Sequence, residues 1–287
     1  MLGILIMKGV LWNALKRNGR RSSIELENNV AKEEIAMNDI LITGSRGFIG
    51  TAIRKAIKFP YDEIDLKMGS HHSCVSGRKG TLIHLSAWVQ QNESFKNPVK
   101  YIENNLRDLA HLIEKNAFDR IIFASSSCVY DRHGNLEPVL PYGLSKLAAE
   151  KLIRIYIKKH WILRFMNPYG EHDDRSIFHL LSQCKKYNRT FEIFTSQKVV
   201  RDYFYVGHIA DTINEILDGH LKCGTYNVGS GIGTEVAPFM EAICKKHGIE
   251  YKHVKSPDGL LDGHIPTDNF IYCPPKDLVE EWERYYL

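Results

Sequence analysis

Tyr142 and Lys146 stand four residues apart in the stretch Y-G-L-S-K. On a helix, that spacing puts both side chains on one face. A tyrosine hydroxyl ordinarily titrates near pH ~10, and a neighbouring ammonium favours its phenolate. Bringing it to about 7 takes roughly 4 kcal/mol of differential interaction. A phenol so tuned is a general acid and base, able to take a proton from an alcohol and return it. Upstream, an apolar strand ends in Ser125-Ser126-Ser127, and a serine hydroxyl there would hold the same alcohol oxygen. Alone, the tyrosine–lysine spacing fits equally a packed tyrosine beside a surface lysine. Its place after a serine-ended strand and a glycine loop gives it chemical meaning.

That loop is ILITGSRGFIG, Ile40 to Gly50, with Gly44, Gly47 and Gly50 between a strand and a helix. The first glycine permits a tight turn, the second lets the backbone approach a pyrophosphate, and the third allows close packing of helix on strand. The helix start then offers free N–H groups and partial positive charge to phosphates. The alternative is a merely tight strand–helix turn. On the first reading Gly44, Arg46, Gly47, Phe48, Ile49 and Gly50 contact a dinucleotide. An acidic residue near the end of the second strand then meets the adenosine ribose. Asp65 is the candidate, with Asp62 and Glu63 as rivals, and it favours NAD. Arg46 and Lys67 would instead suit the 2′-phosphate of NADP, so both dinucleotides stay open.

The elements that must position these groups follow an alternating pattern. Strands are expected at Asp39–Thr43, Glu63–Leu66, Gly80–Ser86, Arg120–Ser125 and Trp161–Phe165. Helices are expected at Phe48–Ile57, Pro98–Asn116 and Tyr142–Lys159, the last preceded by Pro141, which suits a helix start. Such alternation predicts an α/β fold: a Rossmann-like, doubly wound parallel sheet covered by helices on both faces. After about residue 168 the pattern becomes mixed. Helices near Ile177–Lys186 and Ile209–Leu217 alternate with short strands near Phe191–Phe194 and Tyr203–Val206, a smaller mixed α/β C-terminal substrate lobe. The expected organisation is an N-terminal extension over 1–37, a dinucleotide-binding domain over 38–168 and, over 169–287, mainly a substrate lobe with segments returning to the first domain.

The 287 residues carry a formal net charge of +4, with 44% hydrophobic and 25% charged residues. This is ordinary globular composition. A weakly basic body suits a small anionic ligand, and no basic stripe interleaved with aromatics points to nucleic acid. Cysteines at 74, 128, 184, 223, 244 and 273 form no C-x-x-C pair, so neither a metal site nor a disulfide framework is indicated. Reduced thiols in a cytoplasmic protein are the simplest reading, and no apolar run approaches the ~18 residues of a membrane span. Residues 1–36 hold six Lys/Arg and four Glu and lack the pattern of a signal peptide. Met37, just before the first convincing strand, is the expected start of the folded part.

The order TGSRGFIG, LIHLSA, FASSSCVYD, PYGLSKLAAEKL, LRFMNPYG, VVRDYFYV, TYNVGSG resembles the extended short-chain dehydrogenase/reductases, the NAD-dependent epimerase/dehydratases, from about residue 38 to the C-terminus. The resemblance implies that Ser126 is the catalytic serine, Tyr142 the acid/base, and Lys146 both a ligand of the cofactor ribose and a modulator of the tyrosine. It implies that His84, Ser86 and Ala87 lie along the cofactor and that Asn105 supports the site. Asn167 would contact substrate and Arg201 would grip a nucleotide diphosphate, a role a guanidinium fork suits. The alternative for Arg201 is a surface salt bridge with Asp202 or another neighbour. The resemblance also implies a nucleotide-diphosphate sugar as substrate. It further implies a homodimer through a bundle containing the helices of Asn105 and Tyr142.

Within that family, dehydratases follow the catalytic residue with Asp-Glu, whereas this chain has Ser127-Cys128, which disfavours dehydration. SSCVY and Ser256–Gly259 (SPDG) are similar to GDP-fucose synthase, an epimerase-reductase whose matching cysteine moves a proton. Cys128 is thus a candidate for that role or a small buried strand-end residue, with His172 and His179 as nearby histidine partners. The expected activity is epimerisation at a sugar carbon, C4, by transient oxidation. The alternatives are 4-keto-sugar reduction and a non-catalytic dinucleotide-binding regulator. Two departures stand out: the chain from Gly50 to His84 is short for the family, and near His264 only histidine stands where a second phosphate arginine is usual.

Overall fold

A computed structural model describes residues 40–64, 75–195, 198–255 and 265–287. The N-terminal extension with Met37, and Asp65, Lys67, Ser256–Gly259 and His264, lie outside the described residues.

In chain order the strands are β1 (Ile40–Thr43), β2 (Asp62–Ile64), β3 (Lys79–His84), β4 (Ala117–Ser126), β5 (Lys159–Phe165), β6 (Asn167–Tyr169), β7 (Phe191–Phe194), β8 (Val200–Arg201), β9 (Tyr203–Tyr205), β10 (Gly224–Gly229), β11 (Thr234–Glu235), β12 (Tyr251–Val254) and β13 (Phe270–Tyr272). The helices are α1 (Phe48–Ala56), α2 (Gln91–Lys96), α3 (Pro98–Ile102), α4 (Asp108–Lys115), α5 (Pro141–Tyr156), α6 (Ile177–Lys186), α7 (Gly207–Leu217), α8 (Val236–His247) and α9 (Leu278–Tyr286). A π-helical turn, Glu103–Arg107, joins α3 to α4.

Seven strands form one sheet in the order β13-β10-β5-β4-β3-β1-β2, parallel throughout. The reason is visible in the residues. The four residues of β1, Ile-Leu-Ile-Thr, are all buried, as a strand covered on both faces requires. Alternation then sorts the side chains. Ile40, Ile42, Ile122, Leu163 and Phe165 pack on one face against α1 and α7. Leu41, Leu82, Ile121, Phe123 and Ile162 pack on the other against α4 and α5. Each such side chain contributes on the order of 1.5–3 kcal/mol on burial. The fold is therefore the Rossmann-like α/β sheet expected. A separate core, with Tyr169, Phe178, Tyr203, Met240 and the fully buried Trp282, holds the later elements together.

Some boundaries differ from the sequence reading. β2 starts at Asp62, so Glu63 sits inside it. α5 stops at Tyr156 because Ile157 is already extended and Lys159 opens β5. β10 and β13 return to the main sheet, and β2 is its edge. No helix among the described residues is long and apolar enough to cross a membrane.

Candidate active site

β1 delivers the glycine loop. Gly44 has φ +72°, a left-handed conformation that favours glycine, and a Cβ there would press on the backbone of Ser86. A Cβ on Gly50 would overlap the Gly44 carbonyl, so glycine lets α1 start against the loop. No side chain caps α1, whose N-terminal N–H groups are left for a ligand. The buried hydroxyl of Ser45 has no protein partner among the described residues. This is a cradle that fits the diphosphate of a dinucleotide.

From the loop, a cavity of about 1150 Å³ runs past the end of the sheet into the later elements. Phe48, Ile49 and Ala87 line one end; Ser126, Tyr142 and Lys146 line the middle; Asn167 and Arg201 line the far side. Thus eight of the residues singled out from sequence share one cavity. The wall also includes Ser125, named with Ser126 in the serine run, and Arg175 and Arg189, which the sequence reading passed over.

Tyr142 opens α5 just after Pro141. The helix comes close because residue 143 is glycine; a Cβ there would collide with the Cys128 carbonyl. The Tyr142 phenol lies beside Ser126, and it stands edge-on to Tyr101 with ring centroids 6.4 Å apart. Burial pushes the phenol well above its ordinary pKa, Cys128 and Tyr101 add to this, and the Ser126 hydroxyl opposes it. One turn along, Lys146 is buried, and its Nζ donates to the Ala124 carbonyl at 2.6 Å. Burial draws the ammonium down to about 7, opposed by Glu150. The protein alone therefore disfavours both charges, and a ligand must bring the compensating field.

Asn105 owes its place to the π-helical turn. It accepts from the Trp88 N–H at 2.7 Å and donates to the Trp88 carbonyl and the Ser145 hydroxyl, each at 3.0 Å. It thereby clamps the segment after β3 to α5. The Tyr101 hydroxyl donates to the Gln90 carbonyl in the same segment. Tyr101 lies four before Asn105, a spacing that could have revealed it.

Other expectations resolve differently. His84 turns into the sheet, sharing a 2.8 Å hydrogen bond with Thr43 and stacking on Phe123, and it is not in the cavity wall. Ser86 supplies backbone against Gly44. Arg46 lies 3.9 Å from Glu63, which Arg54 also meets at 3.2 Å, so Glu63 is engaged by two arginines. Cys128 is buried behind the wall, bonded to Ser126; burial raises its thiol, with Arg201 opposing. His172 and His179 are absent from the wall; His172 lies 3.2 Å from Lys55. Asp202 is not the surface partner of Arg201: its buried carboxylate accepts from Ser230 and Gly231.

Residues 75–229 match the model of the NAD-dependent epimerase/dehydratase family. The chain belongs to that family. Among curated relatives of this epimerase/dehydratase, a putative UDP-glucose 4-epimerase from Methanocaldococcus jannaschii is 28% identical over 79% of this chain and 87% of its own length. UDP-glucose 4-epimerase 4 of Oryza sativa is 27% identical over 74% of this chain and 68% of its own. Among solved structures, the UDP-N-acetylglucosamine 4-epimerase of Methanobrevibacter ruminantium M1 superposes with a TM-score of 0.73 at 21% identity, over 86% of this chain and 96% of that one. The UDP-glucose 4-epimerase of Thermus thermophilus, solved with NAD, gives 0.68 at 21% identity, over 80% and 90%. The cofactor class of the epimerase/dehydratase family, NAD, agrees with the cradle at Gly44.

Proposed function

We propose that this epimerase/dehydratase is a nucleotide-sugar 4-epimerase that uses NAD. The observation that carries the reading is that Ser126, Tyr142 and Lys146 line the same cavity as Phe48 and Ile49, next to the glycine loop, and as Asn167 and Arg201. The relatives named as UDP-glucose 4-epimerases support the choice of reaction.

Bound NAD would supply the acceptor and donor for a hydride at the sugar carbon. The chain does the rest. Ser126 holds the reacting hydroxyl, Tyr142 takes its proton and gives it back, and Lys146 supports the phenolate. Asn167 faces the sugar, and Arg201 meets the diphosphate with its guanidinium fork. Gly44, Gly47, Phe48, Ile49, Gly50 and Ala87 hold the cofactor. Asp65, Arg46, His84 and Ser86 complete that proposal, with NADP tested beside NAD because Arg46 stands at the loop.

The test is incubation of purified protein with UDP-, GDP-, dTDP- and CDP-sugars, with product and co-purifying cofactor identified by mass spectrometry. Interconversion of 4-epimers is expected, and Tyr142→Phe should lower kcat at least about a hundredfold. Tight cofactor binding without turnover, unchanged in Tyr142→Phe, would identify a regulator instead.

The Cys128 backbone N–H donates to the Ser126 hydroxyl at 3.2 Å, which seats this cysteine next to the proposed site and favours a second reading, an epimerase-reductase acting on 4-keto-sugars. If Cys128→Ser keeps full solvent-deuterium exchange beside the keto group, that reading is excluded. We further propose a division near residue 168 into cofactor and substrate parts, a cytoplasmic location, and a homodimer. The exposed Val99, Ile102 and Leu144 on α3 and α5 support the dimer. Light scattering giving a monomer mass, or a Leu144→Glu variant as dimeric as wild type, would refute it.

A further inference from the structure

Glu150 has no part in the chemistry above, yet its side chain is fully buried. It lies on α5 two turns beyond Tyr142 and one beyond Lys146, on the same face. An uncompensated carboxylate there would be costly. Its four contacts explain its presence. Oε1 accepts from the Ser125 hydroxyl at 2.6 Å and from Arg164 Nε at 2.9 Å. Oε2 accepts from Arg164 Nη2 at 2.6 Å and from Arg154 Nη2 at 3.0 Å. Ser125 stands between Ala124, whose carbonyl takes Lys146 Nζ, and Ser126, which lies beside Tyr142 in the cavity wall. One carboxylate therefore fastens the strand end that holds both catalytic side chains.

We propose that Glu150 is a positioning residue of this site: it anchors the end of β4 to α5 through Ser125, and its negative charge keeps the buried Lys146 an ammonium. The groups around Lys146 bear this out. From α5 it faces Tyr142 and Glu150; from β4, the Ala124 carbonyl and the Phe123 ring at 4.8 Å. His84 of β3 stacks on the far side of Phe123 at 5.9 Å, Arg164 of β5 reaches Lys146 only through Glu150, and Tyr101 and Cys128 lie beyond Tyr142. Glu150 is thus the carboxylate in this set. Burial draws the Lys146 ammonium down and Glu150 draws it back up, and the two together leave it at about 7. Without Glu150, burial would leave Lys146 largely neutral at neutral pH and unable to support a phenolate. Arg154, the most exposed partner of Glu150, partly neutralises it, so Arg154 acts on Lys146 in the opposite sense.

The inference rests on the roles proposed for Tyr142 and Lys146, but its deciding readout is a titration and not turnover. In protein carrying 15N-labelled lysine, the Lys146 resonance is assigned by its loss in Lys146→Met and titrated without substrate. In Glu150→Gln the midpoint should fall by about one unit. In Arg154→Met, a half-exposed change that leaves the core intact, it should rise. The alkaline limb of the kcat profile should move the same way in each. A folded Glu150→Gln with the wild-type midpoint would overturn the proposal. Should Glu150→Gln fail to fold, Arg154→Met decides alone, and an unchanged or lowered midpoint there overturns it. Absence of epimerase activity in the wild type would refute the proposed function and leave the titration result standing.

Discussion

At the scale of single residues, the site makes the charged state of two groups costly. The Tyr142 phenol is raised and the Lys146 ammonium lowered, chiefly by burial in both cases. A group whose native pKa lies below its unfolded value binds fewer protons when folded. Stability then rises with pH between the two values. For Lys146 that window runs from about 7 up to its ordinary 10.5. Lys146→Met removes the burial penalty together with the function, so the variant should melt a few degrees higher at neutral pH and be inactive. Its advantage over wild type should shrink as pH approaches 10. Urea midpoints at a series of pH values check this, and an advantage constant with pH would count against a strained lysine.

At the scale of elements, position comes from backbone contact more than from side-chain bonding. Gly143 shows this most directly. In an exposed helix, glycine to alanine would stabilise by about 1 kcal/mol. Here the added Cβ meets the Cys128 carbonyl. Gly143→Ala should therefore destabilise by roughly 1–3 kcal/mol, as overpacking does, and lower kcat by shifting Tyr142 from Ser126. Chemical denaturation and steady-state kinetics would show both, and a stabilised, fully active variant would contradict the seating of α5. The sequence carried the glycine loop, the Tyr142–Lys146 pair and the serine strand because each is a local pattern with a local geometry. Glu150 continues the same four-residue spacing and was equally legible in principle. The π-helical turn that aims Asn105 was not, because an extra residue in a turn leaves no mark on hydrophobic periodicity. β10 and β13 were missed as strands of the main sheet because their pairing with β5 and with each other is decided far along the chain. For Cys128 the sequence left open a proton-moving thiol or a small buried strand-end residue, and in the fold it is buried and outside the cavity wall.

At the scale of the whole molecule, the cavity is shared between the seven-stranded sheet and the core around Phe178 and Trp282. The junction is fastened at Asp202. Its carboxylate accepts from Ser230 N and Oγ at 2.8 and 2.6 Å and from Gly231 N at 2.9 Å, just past the end of β10. Its carbonyl accepts from the Asn167 N–H at 2.9 Å and side chain at 3.1 Å. Arg201, one residue earlier, thus rides on the rigid framework and not on a free arm. On the role proposed for Arg201, a diphosphate captured there would be measured against the same ruler as the glycine loop, so the distance from anchor to reacting carbon would be fixed before any sugar arrives. Loosening that ruler should blur the fit of the ligand's remote half while sparing the chemistry: Asp202→Asn should raise KM for the nucleotide sugar several-fold with little change in kcat.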